Sequence, residues 1–322
     1  MLYLNTGHIK QMGVDWHKTV QVIQNAVQNL KENHFAQPIK PYLRFKDRTN
    51  RIIAMPAYIG GDFEAAGIKW IASFPKNIDK GIQRAHSVTI LNDSDTGKPF
   101  ATFNTAIVSG IRTASVSGLI IQEFEKVRNL TDVKVGIIGF GPIGQLHLSM
   151  VTHLLGSKIS SVTLYDKKGI NQEHIPAEIL AKTNIVNSYE EAYQDADIFI
   201  TCTVAAEGYI DQKPKDGALL LNVSLRDFKP QILDYTKSII VDDWEEVCRE
   251  NTDIEVMHRE RNLQKEDTYS IVDVVCHEAM NSLRAEQAIL FNPMGMAIFD
   301  VAIATYYYKL AVETGSGVQL ED

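Results

Sequence analysis

Along residues 14–32, VDWHKTVQVIQNAVQNLKE, the apolar positions Val20, Ile23, Val27 and Leu30 recur at three- and four-residue spacing, which predicts one amphipathic helix. The period then shortens. RIIAMPAYI (51–59), AGIKWIASF (66–74), SVTILND (87–93) and PFATFN (99–104) read as strands, and DSDTGK between the last two, with Gly97 free to take a positive φ, predicts a hairpin. From NTAIVSGIRTASVSGLIIQEF onward the period is helical, and after RNLTD strand and helix patterns alternate. Strands are expected at 133–138, 161–165, 184–187, 197–203, 217–223 and 237–241, and the tail GMAIFDVAIATYYYKLAVE predicts a last long amphipathic helix.

Two patterns therefore follow one another. The first is α+β with antiparallel pairing; the second calls for an α/β, Rossmann-type doubly wound parallel sheet covered by helices. The simplest role for the tail helix is to return to the first domain. That makes the first domain discontinuous, 1–115 plus 298–322, with 116–297 inserted as the nucleotide-binding unit.

At 322 residues and 45% hydrophobic content, the chain is long enough for both domains to bury cores. No apolar run reaches the ~18 residues of a membrane span, and MLYLNTGHIK lacks the basic and apolar segments of a signal peptide. Cys202, Cys248 and Cys276 are too few and scattered for a disulfide framework, so a cytoplasmic protein is expected. A net charge of -8 argues against nucleic acid as a partner, and it means that any anion site must gather its cations locally.

Gly139, Gly141 and Gly144 fit G-x-G-x-x-G between the apolar strand VKVGII and the helix PIGQLHLSMVTHLL. In this pattern the first glycine allows the tight turn, the second admits a pyrophosphate, and the third lets helix pack on strand. The following strand ends in Asp166, where a carboxylate can accept from both ribose hydroxyls and repels a ribose phosphate, so NAD is expected over NADP. Lys167 and Lys168, directly after it, work against that preference unless they are simply solvated.

Beyond the fingerprint, hydride chemistry needs a held donor carbon and a group that takes a proton. Lys69 lies inside an apolar strand, where an ammonium is costly without a partner; its plainer reading is the solvent face of a half-buried strand. Arg112 falls on a helix among Ile107, Ile111 and Val116, with a snorkelling arginine as the alternative. Arg44 and Arg84 are individually ordinary. Asp227 follows the strand GALLLNVS, at the strand end where such sheets bind ligands. Cys276, His277 and Glu278 are consecutive and cannot all face one ion, so no metal site is expected. The acidic VDDWEEVCRE reads as a solvated helix start, and Cys202 as a buried strand residue.

Taken together, MPAYIGG, GIKW, LNDSDTGKP, SGIRTASVS, GFGPIG, ADIFITCT, NVSLRD and NPMGMAIFD resemble, in order and spacing, the ornithine cyclodeaminase/mu-crystallin family over nearly the whole chain. The resemblance implies that the first domain and the tail helix form a substrate and homodimer platform and that NAD is the cofactor. It further implies that Arg44, Lys69 and Arg112 bind substrate carboxylate and that Asp227 handles the substrate amine. Gly139, Gly141, Pro142, Ile143, Gly144, Asp166, Thr203, Ser224 and Leu225 are implied along the cofactor, with Arg112 also near it and Met294 beside nicotinamide and substrate. Arg84 replaces a threonine and Ile53 a glutamate of the cyclodeaminases, and both departures count against ornithine cyclisation. QPIKPYLR, DRTNRIIAMP, GIKWIAS, RAHSVTILND and LFNPMGMAI look like the branch of the family that oxidises N-(2-amino-2-carboxyethyl)-L-glutamate to alpha-ketoglutarate and 2,3-diaminopropionate for siderophore synthesis. That substrate has three carboxylates, and Arg44, Lys69, Arg84 and Arg112 would supply cations for them, Lys69 or Asp227 taking the proton. Another family activity, such as ornithine cyclodeamination or alanine or ketimine oxidoreduction, and a non-catalytic nucleotide- and ligand-binding role are the alternatives.

Overall fold

A computed structural model of the chain describes residues 1–321. They divide into two units, Met1–Arg112 with the segment from Gly295 onward, and Thr113–Met294.

The first unit is built on β1 (Leu2–Asn5), β2 (Phe35–Ala36), β3 (Tyr42–Arg44), β4 (Arg51–Ile59), β5 (Ala65–Ser73), β6 (Ala85–Asp93), β7 (Pro99–Asn104) and a closing strand, Val318–Gln319. These are the eight strands of its sheet among the described residues, in the order closing strand, β1, β7, β6, β5, β4, β2, with β3 also on β4. Neighbours from β4 to β7 run antiparallel, and β1 lies parallel to β7. The expected hairpin joins β6 to β7, with Gly97 at φ 72°. Helices α1 (Thr6–Met12) and α2 (Trp16–Lys31) follow β1; α2 opens on Asp15, whose side chain accepts from Lys18 N, and it buries Val20, Ile23, Val27 and Leu30. A further helix, α3 (Ile107–Val127), begins in this unit.

The C-terminal helix, Ala297–Thr314, packs on α2 and on β4, β5 and β6. The amphipathic pattern expected there is corrected. Ala297–Thr305 is buried throughout, because the sheet covers one side of the helix and α2 another.

The second unit holds β8 (Val133–Ile138), β9 (Ile159–Tyr165), β10 (Thr183–Ile185), β11 (Ile198–Thr201), β12 (Leu219–Asn222), β13 (Ser238–Val241), β14 (Thr268–Ser270) and β15 (Ile289–Asn292). All pair in parallel, in the order β10, β9, β8, β11, β12, β15, β13, β14. The first five positions are the 3-2-1-4-5 order of a Rossmann-type sheet, whose strand order reverses between β8 and β11. Expected strand bounds shift by up to two residues; at 197–203 the chain leaves the ladder two residues early, and at 217–223 it enters two residues late. β14 and β15 were not expected: ILFN is a short apolar run that periodicity does not separate from the helix after it.

Candidate active site

In the first unit the register of β4, β5 and β6 places Met55, Lys69 and Thr89 side by side. Lys69 is therefore on the face covered by the C-terminal helix, not on a solvent face. Its Nζ donates to Asp300 Oδ2 at 2.7 Å and to Ser109 Oγ at 3.1 Å. Arg112 Nε donates to Asp300 Oδ1 at 3.1 Å, so this arginine is anchored inward rather than snorkelling. The side chains of Lys69, Arg112 and Asp300 are 3%, 7% and 1% exposed. Two cations thus share one carboxylate in a nearly dry setting, where an ion is tolerated only when paired.

Burial pushes the Lys69 ammonium down to about 7, the neighbouring Arg112 adding to the shift and Asp300 opposing it. Although burial works the other way, the two cations hold the Asp300 carboxyl below its ordinary range. A third buried cation, Lys40, donates to Gly295 O at 2.8 Å. Gly295 sits at φ 87°, and a Cβ there would lie 2.5 Å from an Arg112 guanidinium nitrogen. Only glycine leaves that guanidinium its place.

Asp300 and Lys40 escaped the sequence reading. Asp300 did leave a signal: an aspartate inside AIFDVAIA, a helix apolar on every side, demands a buried partner. Arg44 lies exposed on β3, its guanidinium 4.8 Å from the Tyr42 ring centroid. Arg84 precedes β6, and its carbonyl accepts from Phe74 N.

In the second unit, the glycine turn joins β8 to α4 (Pro142–Leu155) at the strand-order reversal. Gly139 takes φ 82°, and a Cβ there would meet the Cys202 carbonyl oxygen at 2.5 Å. A Cβ on Gly144 would collide with Gly139 O, whereas one on Gly141 meets nothing within 4 Å. That open ground at Gly141 faces a helix start with Pro142 in its first turn and no side-chain cap, as a phosphate requires. Asp166 accepts from Phe140 N at 2.7 Å and from Lys168 N at 2.8 Å, which fixes its carboxylate at the rim of the turn. These residues fit a dinucleotide. Cys202 stands one residue beyond β11 and is partly exposed, which corrects its reading as a buried strand residue; the ladder ends at Thr201.

Asp227 is fully buried. Its Oδ1 accepts from Thr203 Oγ1 at 2.5 Å and from Tyr209 OH at 3.0 Å, and its Oδ2 accepts from Ser224 Oγ. The same loop carries Leu225 at φ 63°, a conformation held from outside it: Asp253 Oδ2 accepts from Asp227 N and Phe228 N, both at 2.9 Å, and from Asn222 Nδ2 at 2.8 Å. Burial pushes the Asp253 carboxyl up to about 6 against the pull of these donors. Neither Asp253 nor Tyr209 was found from sequence, since an aspartate at the start of the helix Asp253–Arg261 reads as an ordinary helix end.

Met294 is partly buried, and its N–H donates to Asp242 Oδ1 at 2.9 Å. This corrects the reading of VDDWEEVCRE. A helix does start there, Trp244–Val247, with Asp243 accepting from Glu246 N and Glu245 exposed, but Asp242 and Glu246 are buried because the segment leaves the end of β13 inside the unit.

The model of one family, ornithine cyclodeaminase/mu-crystallin, matches residues 9–315. The chain belongs to that family. Among its relatives, the N-((2S)-2-amino-2-carboxyethyl)-L-glutamate dehydrogenase of Staphylococcus aureus is 32% identical, covering 99% of this chain and 98% of that protein. The fold of the family recurs in the Delta(1)-pyrroline-2-carboxylate reductase of Thermococcus litoralis, solved with NADH and L-proline, at TM-score 0.87 and 23% identity over 99% of this chain and 100% of that one. An archaeal alanine dehydrogenase dimer with bound NAD matches at TM-score 0.83 and 22% identity, over 100% and 99% of the two chains. In the family member described here, no helix among the described residues is long and apolar enough to cross a membrane.

Proposed function

We propose that the protein is an NAD-dependent oxidoreductase that cleaves N-((2S)-2-amino-2-carboxyethyl)-L-glutamate oxidatively to alpha-ketoglutarate and 2,3-diaminopropionate. The observation that carries this reading is the sharing of the single Asp300 carboxylate by buried Lys69 and Arg112, an arrangement that an incoming carboxylate completes electrically. The likeness to the Staphylococcus aureus dehydrogenase over 99% of the chain supports the choice of substrate.

In this reading Gly139, Gly141, Pro142, Ile143, Gly144, Asp166, Thr203, Ser224 and Leu225 would hold NAD, which would supply the hydride acceptor for the glutamate α-carbon. Lys69 and Arg112 orient the α-carboxylate, and Arg44, Arg84 and Met294 complete the substrate side. Lys69, lowered to about 7, takes a proton from the substrate's secondary ammonium, and the nitrogen lone pair so freed forms the iminium as the α-hydride departs. Water adds to that carbon, its two protons pass to the nitrogen as the C–N bond breaks, and diaminopropionate leaves while Lys69 releases its proton to solvent. The sum is adduct, NAD and water to alpha-ketoglutarate, diaminopropionate, NADH and a proton. The Asp227 carboxylate already accepts from three hydroxyls, and its part is to fix Thr203, Ser224 and Tyr209.

The protein works as a cytoplasmic homodimer and serves a siderophore-type pathway. The dimer in the archaeal neighbour supports the first point, together with Trp70, 41% exposed on the face of β5 opposite Lys69. The test of the activity is to incubate purified protein with NAD and the adduct. NADH and alpha-ketoglutarate should form one for one; no NADH from the adduct, with NAD-dependent proline formation from ornithine, overturns the reading.

A further inference from the structure

His147 is fully buried on α4, four residues after Ile143 of the nucleotide turn, and takes no part in holding substrate or moving a proton. Its imidazole meets three groups. Nδ1 lies 2.8 Å from the Ile143 carbonyl oxygen and 3.7 Å from Cys202 Sγ, and Nε2 lies 2.9 Å from Ser117 Oγ on α3. A carbonyl only accepts, so Nδ1 carries the hydrogen. Burial pushes the imidazole down to about 4, so the ring is neutral near physiological pH, and its bare Nε2 accepts from the Ser117 hydroxyl. The tautomer is fixed from both ends of the ring.

What the ring holds bears on the cofactor. Ile143 is the second residue of α4, after Gly141 at the cap and Pro142, and its carbonyl shares one peptide plane with the Gly144 N–H. That amide belongs to the first turn, whose N–H groups have no acceptor within the helix and are free to meet an anion. Donation from His147 to Ile143 O holds the plane against rotation, and by polarising the peptide it makes the Gly144 amide a stronger donor. Cys202 joins the same arrangement. Its sulfur rests against the ring, and its carbonyl oxygen is what a Cβ on Gly139 would strike, so the turn, α4 and the end of β11 meet around one imidazole.

We infer that His147, in the Nδ1–H form set by Ser117, is a positioning residue of the NAD site, aiming the Gly144 amide at the cofactor pyrophosphate. The inference rests on NAD as cofactor and is independent of the substrate.

Asparagine and glutamine separate the two ends of the ring. In His147→Asn the side-chain amide falls near the place of Nδ1 and can donate to Ile143 O; in His147→Gln it reaches toward the place of Nε2 and Ser117 instead. Both variants lose the ring, so a difference in cofactor affinity between them reports the hydrogen bond rather than the packing. In NADH fluorescence titrations of the folded full-length proteins, His147→Gln should bind about threefold to tenfold more weakly than wild type, the worth of one hydrogen bond, and His147→Asn within about twofold of wild type. Unchanged affinity in His147→Gln, or equal weakening in both variants, overturns the inference. Imidazole nitrogen resonances of isotope-labelled wild type need no variant: near neutral pH, His147 should show a protonated Nδ1 and a bare Nε2, and the opposite tautomer overturns the inference. A wild type that binds NADH in this way without turning over the glutamate adduct leaves the positioning role and removes the proposed reaction.

Discussion

Lys69 and Asp300 meet at 2.7 Å although 231 residues separate them in the chain, and each side chain is almost sealed from solvent. Neither ion would be tolerated there alone. The chemistry of the first unit and its stability therefore hang on the same contact.

Asp300→Asn should cost about 3–5 kcal/mol of stability, since it leaves Lys69 and Arg112 buried without their carboxylate. Denaturant unfolding measures this. Added alpha-ketoglutarate should restore part of the loss, because it supplies the missing negative charge; an unchanged midpoint would remove the pair from its structural role.

Lys69 gives a pH dependence of definite sign. The folded protein releases this proton near pH 7 and the unfolded chain near 10.5, so the unfolded state binds more protons between them, and the contribution of Lys69 to stability rises with pH across that window. Binding of a carboxylate runs the other way and weakens as pH climbs through about 7. Titrations of alpha-ketoglutarate at several pH values should follow this trend in wild type but not in Lys69→Arg. Lys69→Met should lower kcat by about a hundredfold to ten-thousandfold, the range of a lost general base.

Asp253 reverses the sign. Its carboxyl holds a proton up to about pH 6 in the fold and to 3.8 when unfolded, so the native state binds more protons in between, and stability falls as pH rises across that interval. The difference between wild type and Asp253→Asn in unfolding free energy should change by up to about 3 kcal/mol from pH 4 to pH 6. A flat difference removes Asp253 as the buried support of the Asp227 loop.

Two glycine variants should separate binding from folding. Gly141→Ala adds a methyl group to open space at an ordinary negative φ, so thermal unfolding should not move, while NAD affinity should fall at least about tenfold as the methyl takes up phosphate room. Gly139→Ala should instead destabilise the protein, since alanine at φ 82° is strained and faces the Cys202 carbonyl. Comparison of melting curves with NADH fluorescence titrations decides both.

What sequence could reveal follows from how local each signal is. The glycine turn and the hairpin at Gly97 are written in consecutive residues, and both stand where the pattern puts them. Lys69 and Arg112 were visible as cations in apolar runs. Their meeting was not, because it depends on Asp300, brought over by the last helix. Asp253 was hidden for a similar reason: its three donors come from Asn222, Asp227 and Phe228, and only the packed loop makes one carboxylate serve them all. The extra strands β14 and β15 were lost because runs of three and four residues are too short to carry a period.

The position of Asp300 also bears on biosynthesis. The ribosome delivers every residue of Thr113–Met294 before it delivers the aspartate that neutralises Lys69 and Arg112. A nascent chain ordinarily completes its N-terminal domain first, whereas this first unit lacks a part of itself until the residues from Gly295 onward are made. The nucleotide unit can complete its core while the earlier-made sheet still waits, its two cations unanswered, for the last helix to emerge.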